Sequence, residues 1–105
     1  MRFHIVIQND QTDRFRRVEV DGERVDFRQY PTELFAVHVN PFYRAWGAPE
    51  YAVTHVGTGM RIAGGNTQHD AIATARQLIK QKSTQEFWSA IAAARQRIKA
   101  SQILS

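Results

Sequence analysis

The sequence predicts an α+β domain: an antiparallel sheet of about five to six strands, followed by two C-terminal α-helices packed on one face. Through most of residues 1–66, apolar residues alternate with polar ones at the two-residue period of strands. In residues 67–105 the apolar residues recur at the helical period instead. At 105 residues, the chain is long enough for a single domain with its own core and too short for two.

The first part of the chain divides into candidate strands separated by polar or glycine-containing turns. Asp21-Gly22 is typical of a two-residue hairpin turn, because glycine accepts the positive φ that a type I′ turn needs. Gly57-Thr58-Gly59 is expected to close the last hairpin. The candidate strands span residues 3–8, 14–20, 24–29, 33–39, 51–56 and 60–63.

Two helices follow, each with a polar residue at its start and an apolar stripe along one side. Thr67 with Asp70 fits a capping box, and Ser83 with Glu86 fits a second, so we expect the helices to separate near Lys82. The stripes comprise Ala71, Ile72, Ala75, Leu78 and Ile79 in the first helix and Phe87, Ile91, Ala94 and Ile98 in the second. These stripes are expected to pack against the sheet.

The net charge of +4 lies entirely in the helical part. Residues 1–66 contain eight Arg and eight Asp or Glu, whereas residues 67–105 contain six Lys or Arg and only two acids. The six cations are Arg76, Lys80, Lys82, Arg95, Arg97 and Lys99. This asymmetry indicates an acidic partner for the helices, and a solubilising charged face is the alternative interpretation.

Composition excludes several classes of protein. The chain contains no cysteine, which rules out disulfides, thiolate catalysis and zinc or iron–sulfur ligation by cysteine. No apolar run reaches the roughly 18 residues of a membrane-spanning helix. Because the first residues also lack the apolar core of a signal peptide, we expect a soluble, cytoplasmic protein.

No motif predicts catalysis. The glycines at 57, 59, 64 and 65 match neither the dinucleotide-binding nor the P-loop pattern. The four histidines, His4, His38, His55 and His69, have no metal-ligand spacing, and we expect them to face solvent or to be hydrogen-bonded in the core. No nucleophile elbow is present. We therefore expect a protein that is not an enzyme and uses no metal or cofactor.

A loop with clustered aromatic residues is the first candidate binding site. Residues 40–50 contain Phe42, Tyr43, Arg44 and Trp46 between two prolines. Loops carry binding residues more often than strands or helices do, and Trp, Tyr and Arg dominate binding hot spots. In the alternative interpretation the loop folds back and its rings cover one end of the core.

The second helix provides another candidate. Trp88, Arg95 and Lys99 line up beside its apolar stripe when residues are placed about 100° apart. An aromatic ring between cations can stack on a nucleobase or contact an acidic protein surface. Alternatively, Trp88 widens the stripe that faces the core, and the Arg and Lys side chains lie over it.

Two resemblances to known families bear on these candidates. Residues 49–71 resemble the end of a double-stranded-RNA-binding domain, with a P-x-Y strand at Pro49-Glu50-Tyr51, glycines and a helix start leading to Ala71. That family's helix begins with phosphate-binding lysines, whereas this chain has Gln68, His69 and Asp70 there. In overall style, a short cysteine-free α+β chain without catalytic motifs, the sequence resembles the accessory proteins of phages and plasmids, anti-CRISPR inhibitors among them.

Two functional hypotheses follow. In the first, the protein is an interaction or inhibitor module that docks on a protein or nucleoprotein complex with an acidic surface. Its partner-binding residues would be Phe42, Tyr43, Arg44, Trp46, Trp88, Arg95 and Lys99. In the second, it binds DNA or RNA directly, Trp88 stacks on a base, and the phosphates contact Arg76, Lys80, Arg95, Arg97 and Lys99. A homodimer is compatible with either hypothesis, because an open sheet must protect its edge strands.

Overall fold

The computed structural model describes residues 1–8, 15–40 and 48–104; for residues 7, 8, 15, 16 and 101–104 it describes the backbone alone. Five strands are followed by two helices within this part of the chain, which confirms the predicted α+β layout. The elements are β1 (Arg2–Gln8), β2 (Phe15–Val25), β3 (Phe35–Val39), β4 (Tyr51–His55), β5 (Met60–Gly65), α1 (Gln68–Gln81) and α2 (Thr84–Leu104). Neither helix, over its described residues, is both long enough and apolar enough to cross a bilayer.

The strands form one antiparallel sheet in the order β1-β2-β3-β4-β5, so each strand pairs with the next one in the chain. The register is regular except for a shift at Val53 and Thr54, where β4 pairs with β5. Antiparallel neighbours of this kind can be joined directly by a turn or loop, without a crossover connection.

The predicted hairpin at Asp21-Gly22 is wrong. Strand β2 continues through both residues, so the candidate strands 14–20 and 24–29 are one strand that ends at Val25. Its first half, up to Asp21, pairs with β1, and its second half, from Gly22 onward, pairs with β3. A Cβ atom at Gly22 would lie 2.4 Å from the carbonyl oxygen of Val37. Glycine is needed here because the neighbouring strand leaves no room for a side chain. The Asp-Gly pair therefore indicates a close approach of two strands and not a turn.

The main core lies between the sheet and both helices. Phe35 and Val37 of β3 and Val53 of β4 contribute from the sheet. The predicted helix stripes meet them in part: the buried residues are Ala71, Ala75 and Ile79 of α1 and Phe87 and Ile91 of α2. Leu78, which the predicted α1 stripe includes, is 43% exposed instead. Both helices therefore pack on one face of the sheet, as predicted.

A second apolar cluster covers the other face of the sheet. It consists of Phe3, Ile5, Val20 and Ala36, with Val18, Leu34 and Val56 packed against it. The sheet curls strongly enough to bring β1 close to the β4–β5 turn, because a Cβ atom at Gly59 would lie only 1.6 Å from the carbonyl oxygen of Val6. Gly59 also has a φ of 73°, which a residue with a side chain rarely adopts.

Both predicted helix starts are confirmed. The backbone N–H of Asp70 donates to Oγ1 of Thr67 at 3.0 Å. The backbone N–H of Glu86 donates to Oγ of Ser83 at 3.1 Å, and the Ser83 hydroxyl donates to the Glu86 carboxylate, also at 3.1 Å. Lys82 caps the C-terminus of α1 with an extended backbone, so the helices separate where the sequence predicts. Residues 82 and 83 alone connect α1 to α2.

Candidate functional site

Residues 26–34, which we call the β2–β3 loop, are in contact with both helices. Two consecutive turns shape it: the N–H of Tyr30 donates to the carbonyl oxygen of Phe27 at 3.0 Å, and the N–H of Glu33 donates to that of Tyr30 at 3.1 Å. The side chains of Phe27 and Tyr30 are buried. Those of Arg28 and Gln29, between them, are exposed. The loop thus has an apolar side in the core and a basic side in solvent.

Trp88 of α2 lies at the border between core and solvent. Its ring makes edge contacts with Tyr30 and Phe87, at centroid distances of 5.7 and 5.6 Å. Tyr30 in turn stacks on Phe87 at 3.8 Å. The Trp88 side chain nevertheless stays 39% exposed. One edge of the ring therefore extends the core, as in the alternative interpretation, and the rest of the residue is accessible to solvent.

The hydroxyl of Tyr30 is buried and has no hydrogen-bond partner among the described residues. Burial also raises the pKa of this phenol, because the charged form would lose its hydration. A buried polar atom without a partner costs stability, so the stacked ring must offset that cost through its apolar contacts.

A buried polar row joins β4, the β2–β3 loop and α2. Oε1 of Glu33 accepts a hydrogen bond from Nε2 of His55 at 3.0 Å and from Nη2 of Arg95 at 2.9 Å. Nδ1 of His55 lies 2.8 Å from the hydroxyl of Thr58, which also accepts from the N–H of Met60 at 3.3 Å. Because the carboxylate can only accept, His55 carries its proton on Nε2, and Nδ1 accepts from the Thr58 hydroxyl.

The row resembles, in residue types, the hydroxyl–imidazole–carboxylate arrangement of hydrolases. Burial lowers the pKa of His55 and Arg95 lowers it further, while the hydrogen bond and charge of Glu33 act in the opposite direction. The imidazole is therefore neutral near pH 7. However, the Thr58 side chain is buried, and its hydroxyl already has two partners. The chemistry that these contacts support is structural: they tie three elements together.

Arg95 remains available despite its contact with Glu33. Its side chain is 57% exposed, and only one of its N–H groups donates to the carboxylate. Glu33 is only 11% exposed, so it fixes the guanidinium from the inner side. Lys99 lies one turn further along and is exposed, whereas Arg97 projects from roughly the opposite side of the helix to Trp88. The structure thus keeps Trp88, Arg95 and Lys99 on one side of α2.

The other predicted cations lie on α1, next to the start of the β2–β3 loop. Nη1 of Arg76 donates to the carbonyl oxygen of Asp26 at 3.2 Å, and the guanidinium lies over the ring of Phe27 at 5.7 Å. Lys80 follows one turn later and is exposed. The five cations predicted to contact phosphates therefore form two groups at the two ends of the loop, with Arg97 apart from both.

The aromatic anchors Phe42, Tyr43, Arg44 and Trp46 lie outside the described residues. The structure does describe where their loop begins and ends. The backbone N–H of Asn40 donates to the carbonyl oxygen of Glu50 at 2.8 Å, and its side-chain amide donates to that of Pro49 at 3.0 Å. These bonds hold the two ends of the loop together.

The histidines occupy the two kinds of position expected for them. His38 is buried on the sheet face opposite His55. Its Nδ1–H donates to the carbonyl oxygen of Val39 at 2.9 Å, and its Nε2 accepts from the Thr54 hydroxyl at 2.8 Å. Burial lowers the pKa of His38, and the hydrogen bond to Val39 raises it in part.

His4 and His69 are exposed. Among the described residues, no three His, Asp or Glu side chains are grouped so as to hold a metal ion.

Sequence reasoning missed Glu33 and Tyr30, the two loop residues that position α2. The sequence predicts Glu33 as the first residue of a strand, whereas β3 begins two residues later. A signal was present: Glu33 is an acid directly before an apolar strand, and it has no basic neighbour within four residues along the chain. Such an acid needs a partner from elsewhere in the fold, which here is supplied by β4 and α2.

Comparisons of the chain with protein-family models, with curated proteins and with solved structures gave no match.

Proposed function

We propose that this protein acts by binding, not by catalysis, and that it docks on an acidic surface of a protein or nucleoprotein complex. The docking surface would be Trp88, Arg95 and Lys99, which we call the basic α2 surface. The observation that carries the proposal is the position of Trp88, whose ring contacts Tyr30 and Phe87 while the residue stays 39% exposed.

A held aromatic ring suits binding because less side-chain freedom is lost when a partner arrives. Tryptophan is also among the residue types that most often dominate interface energies. Arg95 is held in the same way, since Glu33 fixes one side of its guanidinium at 2.9 Å. The remaining N–H groups keep the planar geometry that pairs with carboxylates.

The charge distribution favours an acidic partner. The helical part carries the whole net charge of +4. By contrast, several exposed charges of the sheet are neutralised locally: Arg2 pairs with Glu19 at 2.9 Å and Arg24 with Asp26 at 2.8 Å. Long-range attraction would therefore orient the helices toward an acidic surface and increase the rate of association.

A pull-down from nuclease-treated lysate tests this function. The baits are the wild type, a W88A/R95A/K99A variant and Arg97→Ala, which removes a cation from the opposite side of the same helix. We expect a protein that the wild type and Arg97→Ala both retain and that the triple variant loses. Equal retention by the triple variant would contradict the proposal. An inhibitor of the type that phages and plasmids carry would act through such a contact.

Direct nucleic-acid binding is the second candidate, favoured by the accessible Trp88 ring beside two cations. Arg76, Lys80, Arg95, Arg97 and Lys99 would then neutralise phosphates, and Trp88 would stack on a base. Fluorescence anisotropy with labelled mixed-sequence DNA and RNA, single- and double-stranded, tests it at two salt concentrations. Micromolar binding that weakens steeply with salt and is lost in the triple variant would favour this function over the first.

A further inference from the structure

A small cavity lies between the β2–β3 loop and α1, away from the basic α2 surface. It is lined by Phe27, Arg28, Gln29, Arg76 and Lys80 and has a volume of about 220 Å³. Three of these five residues are cations and none is acidic. Drug-sized ligands occupy pockets of roughly 300–1,000 Å³, so this cavity suits a smaller group.

One of the three cations is held in place by the fold. Nη1 of Arg76 donates to the carbonyl oxygen of Asp26 at 3.2 Å, and the guanidinium lies over the ring of Phe27 at 5.7 Å. A guanidinium has five N–H groups in a rigid plane, so the others remain for a ligand. Arg76 therefore forms a fixed donor at one wall of the cavity.

The three cations of the cavity lack an acidic partner among the described residues. The nearest acid along the chain, Asp26, uses its carboxylate to pair with Arg24 at 2.8 Å and offers Arg76 only its carbonyl oxygen. Cations that converge without an acid repel one another, and a bound anion would relieve that repulsion.

We propose that this cavity binds a phosphate group. Arg28, Arg76 and Lys80 would supply charged donors from two elements, and the Gln29 amide would supply a neutral one. Arginine matches the geometry of phosphate oxygens, and lysine adds a mobile point charge. The phosphate comes either from a free phosphoanion or from a nucleic-acid backbone. The site shares no residue with the basic α2 surface, so it does not depend on the partner proposed there. Arg76 and Lys80 also belong to the second candidate function, so the nucleic-acid source of the phosphate rests on that function.

The test compares the wild type with two variants that each remove two positive charges. R28A/K80A removes two of the three exposed cations that line the cavity and leaves the contacts of Arg76 with the fold intact. R61A/K82A is the matched control, because both residues line a different cavity, between β5 and the helices. One arm titrates pyrophosphate by calorimetry at constant ionic strength. The other titrates labelled single-stranded DNA by anisotropy.

We expect the wild type and R61A/K82A to bind at least one of the two ligands with similar affinity. R28A/K80A should bind that ligand at least about tenfold more weakly, since each lost charged donor is worth that much or more. Binding of pyrophosphate identifies a free phosphoanion as sufficient, and binding of DNA alone identifies the backbone as the source. Equal weakening in both variants would show that only overall charge matters and would overturn the proposal. Absence of binding in both arms would overturn it as well.

Discussion

The Nε2–H of His55 donates to Oε1 of Glu33 at 3.0 Å, across the boundary between the sheet and the β2–β3 loop. Arg95 of α2 shares that oxygen at 2.9 Å. A single carboxylate thus positions a core histidine and an exposed arginine at once. The contact bears on the proposed docking surface, because the same loop carries Tyr30, whose ring contacts that of Trp88.

Removal of the Glu33 carboxylate should destabilise the fold. In Glu33→Ala, the buried Nε2–H of His55 loses its acceptor, and an unsatisfied buried donor costs about 1–3 kcal/mol. Urea denaturation followed by circular dichroism measures the free energy of unfolding. Glu23→Ala is the control, because Glu23 is exposed on β2 and should change that energy by less than about 0.5 kcal/mol. Equal losses in the two variants would show that the Glu33 contacts do not contribute.

Acidification should destabilise the protein through its two buried histidines. Burial lowers the folded-state pKa of His38 and of His55 below the ordinary histidine value of 6.5. The unfolded chain therefore binds protons first. The stability from each neutral histidine is fully present above pH 6.5 and is lost as the pH falls from there toward the folded-state pKa.

The change in the free energy of unfolding per pH unit has an upper limit, which an experiment can check. Each histidine contributes at most about 1.4 kcal/mol per pH unit. Urea midpoints at pH 7.5, 6.0 and 5.0 measure the dependence, and a variant with His38→Gln should show a shallower one. A midpoint that does not change over this range would contradict the assignment of both imidazoles as neutral in the fold.

Gly59 should tolerate no side chain, whereas its neighbour Gly57 should. A Cβ atom at position 59 would meet the Val6 carbonyl oxygen at 1.6 Å, and the φ of 73° is unfavourable for alanine. At position 57 the nearest atom is Cε1 of His55 at 3.5 Å, an ordinary contact. Gly59→Ala should therefore cost more than about 1 kcal/mol, and Gly57→Ala less. Thermal unfolding of both variants measures the difference, and similar melting temperatures would refute the close approach of β1 to this turn.

Substitution of Phe87 should destabilise the fold much more than substitution of Trp88. Phe87 is fully buried, so Phe87→Ala should cost about 3–5 kcal/mol of stability. Trp88→Ala removes a partly exposed ring and two edge contacts, and should cost less than about 2 kcal/mol. Chemical denaturation of the two variants measures the two losses of stability. A loss at Trp88 as large as that at Phe87 would mean that its main role is in the core.

Much of the fold could be predicted because its signals are local. Thr67 and Ser83 cap helices through contacts with residues three positions away, and the helix stripes depend on spacing alone. The role of Gly22 could not be predicted, because the contact that requires a glycine comes from another strand. Val37 is 15 residues further along the chain, and its carbonyl oxygen occupies the space of a Cβ atom. A local turn rule cannot detect such a contact.

The candidate site was predicted only in part for the same reason. Trp88, Arg95 and Lys99 lie on one side of a helix, so helical periodicity found them. Glu33 lies 62 residues from Arg95 and 22 from His55, and the row that it joins exists only after the chain has folded. The Arg28, Arg76 and Lys80 cavity likewise combines a loop with a helix nearly fifty residues later.

The most direct test of the proposed docking surface is site-specific photo-crosslinking at two adjacent alanines of α2. Ala92 lies between Trp88 and Arg95 on the basic α2 surface, whereas Ala93 points roughly toward the side of Arg97; both are exposed. Each is replaced in turn by p-benzoylphenylalanine, and the protein is irradiated in nuclease-treated lysate. We expect a protein adduct from position 92 and none from position 93. Equal adducts from both positions, or an adduct from position 93 alone, would contradict the proposal.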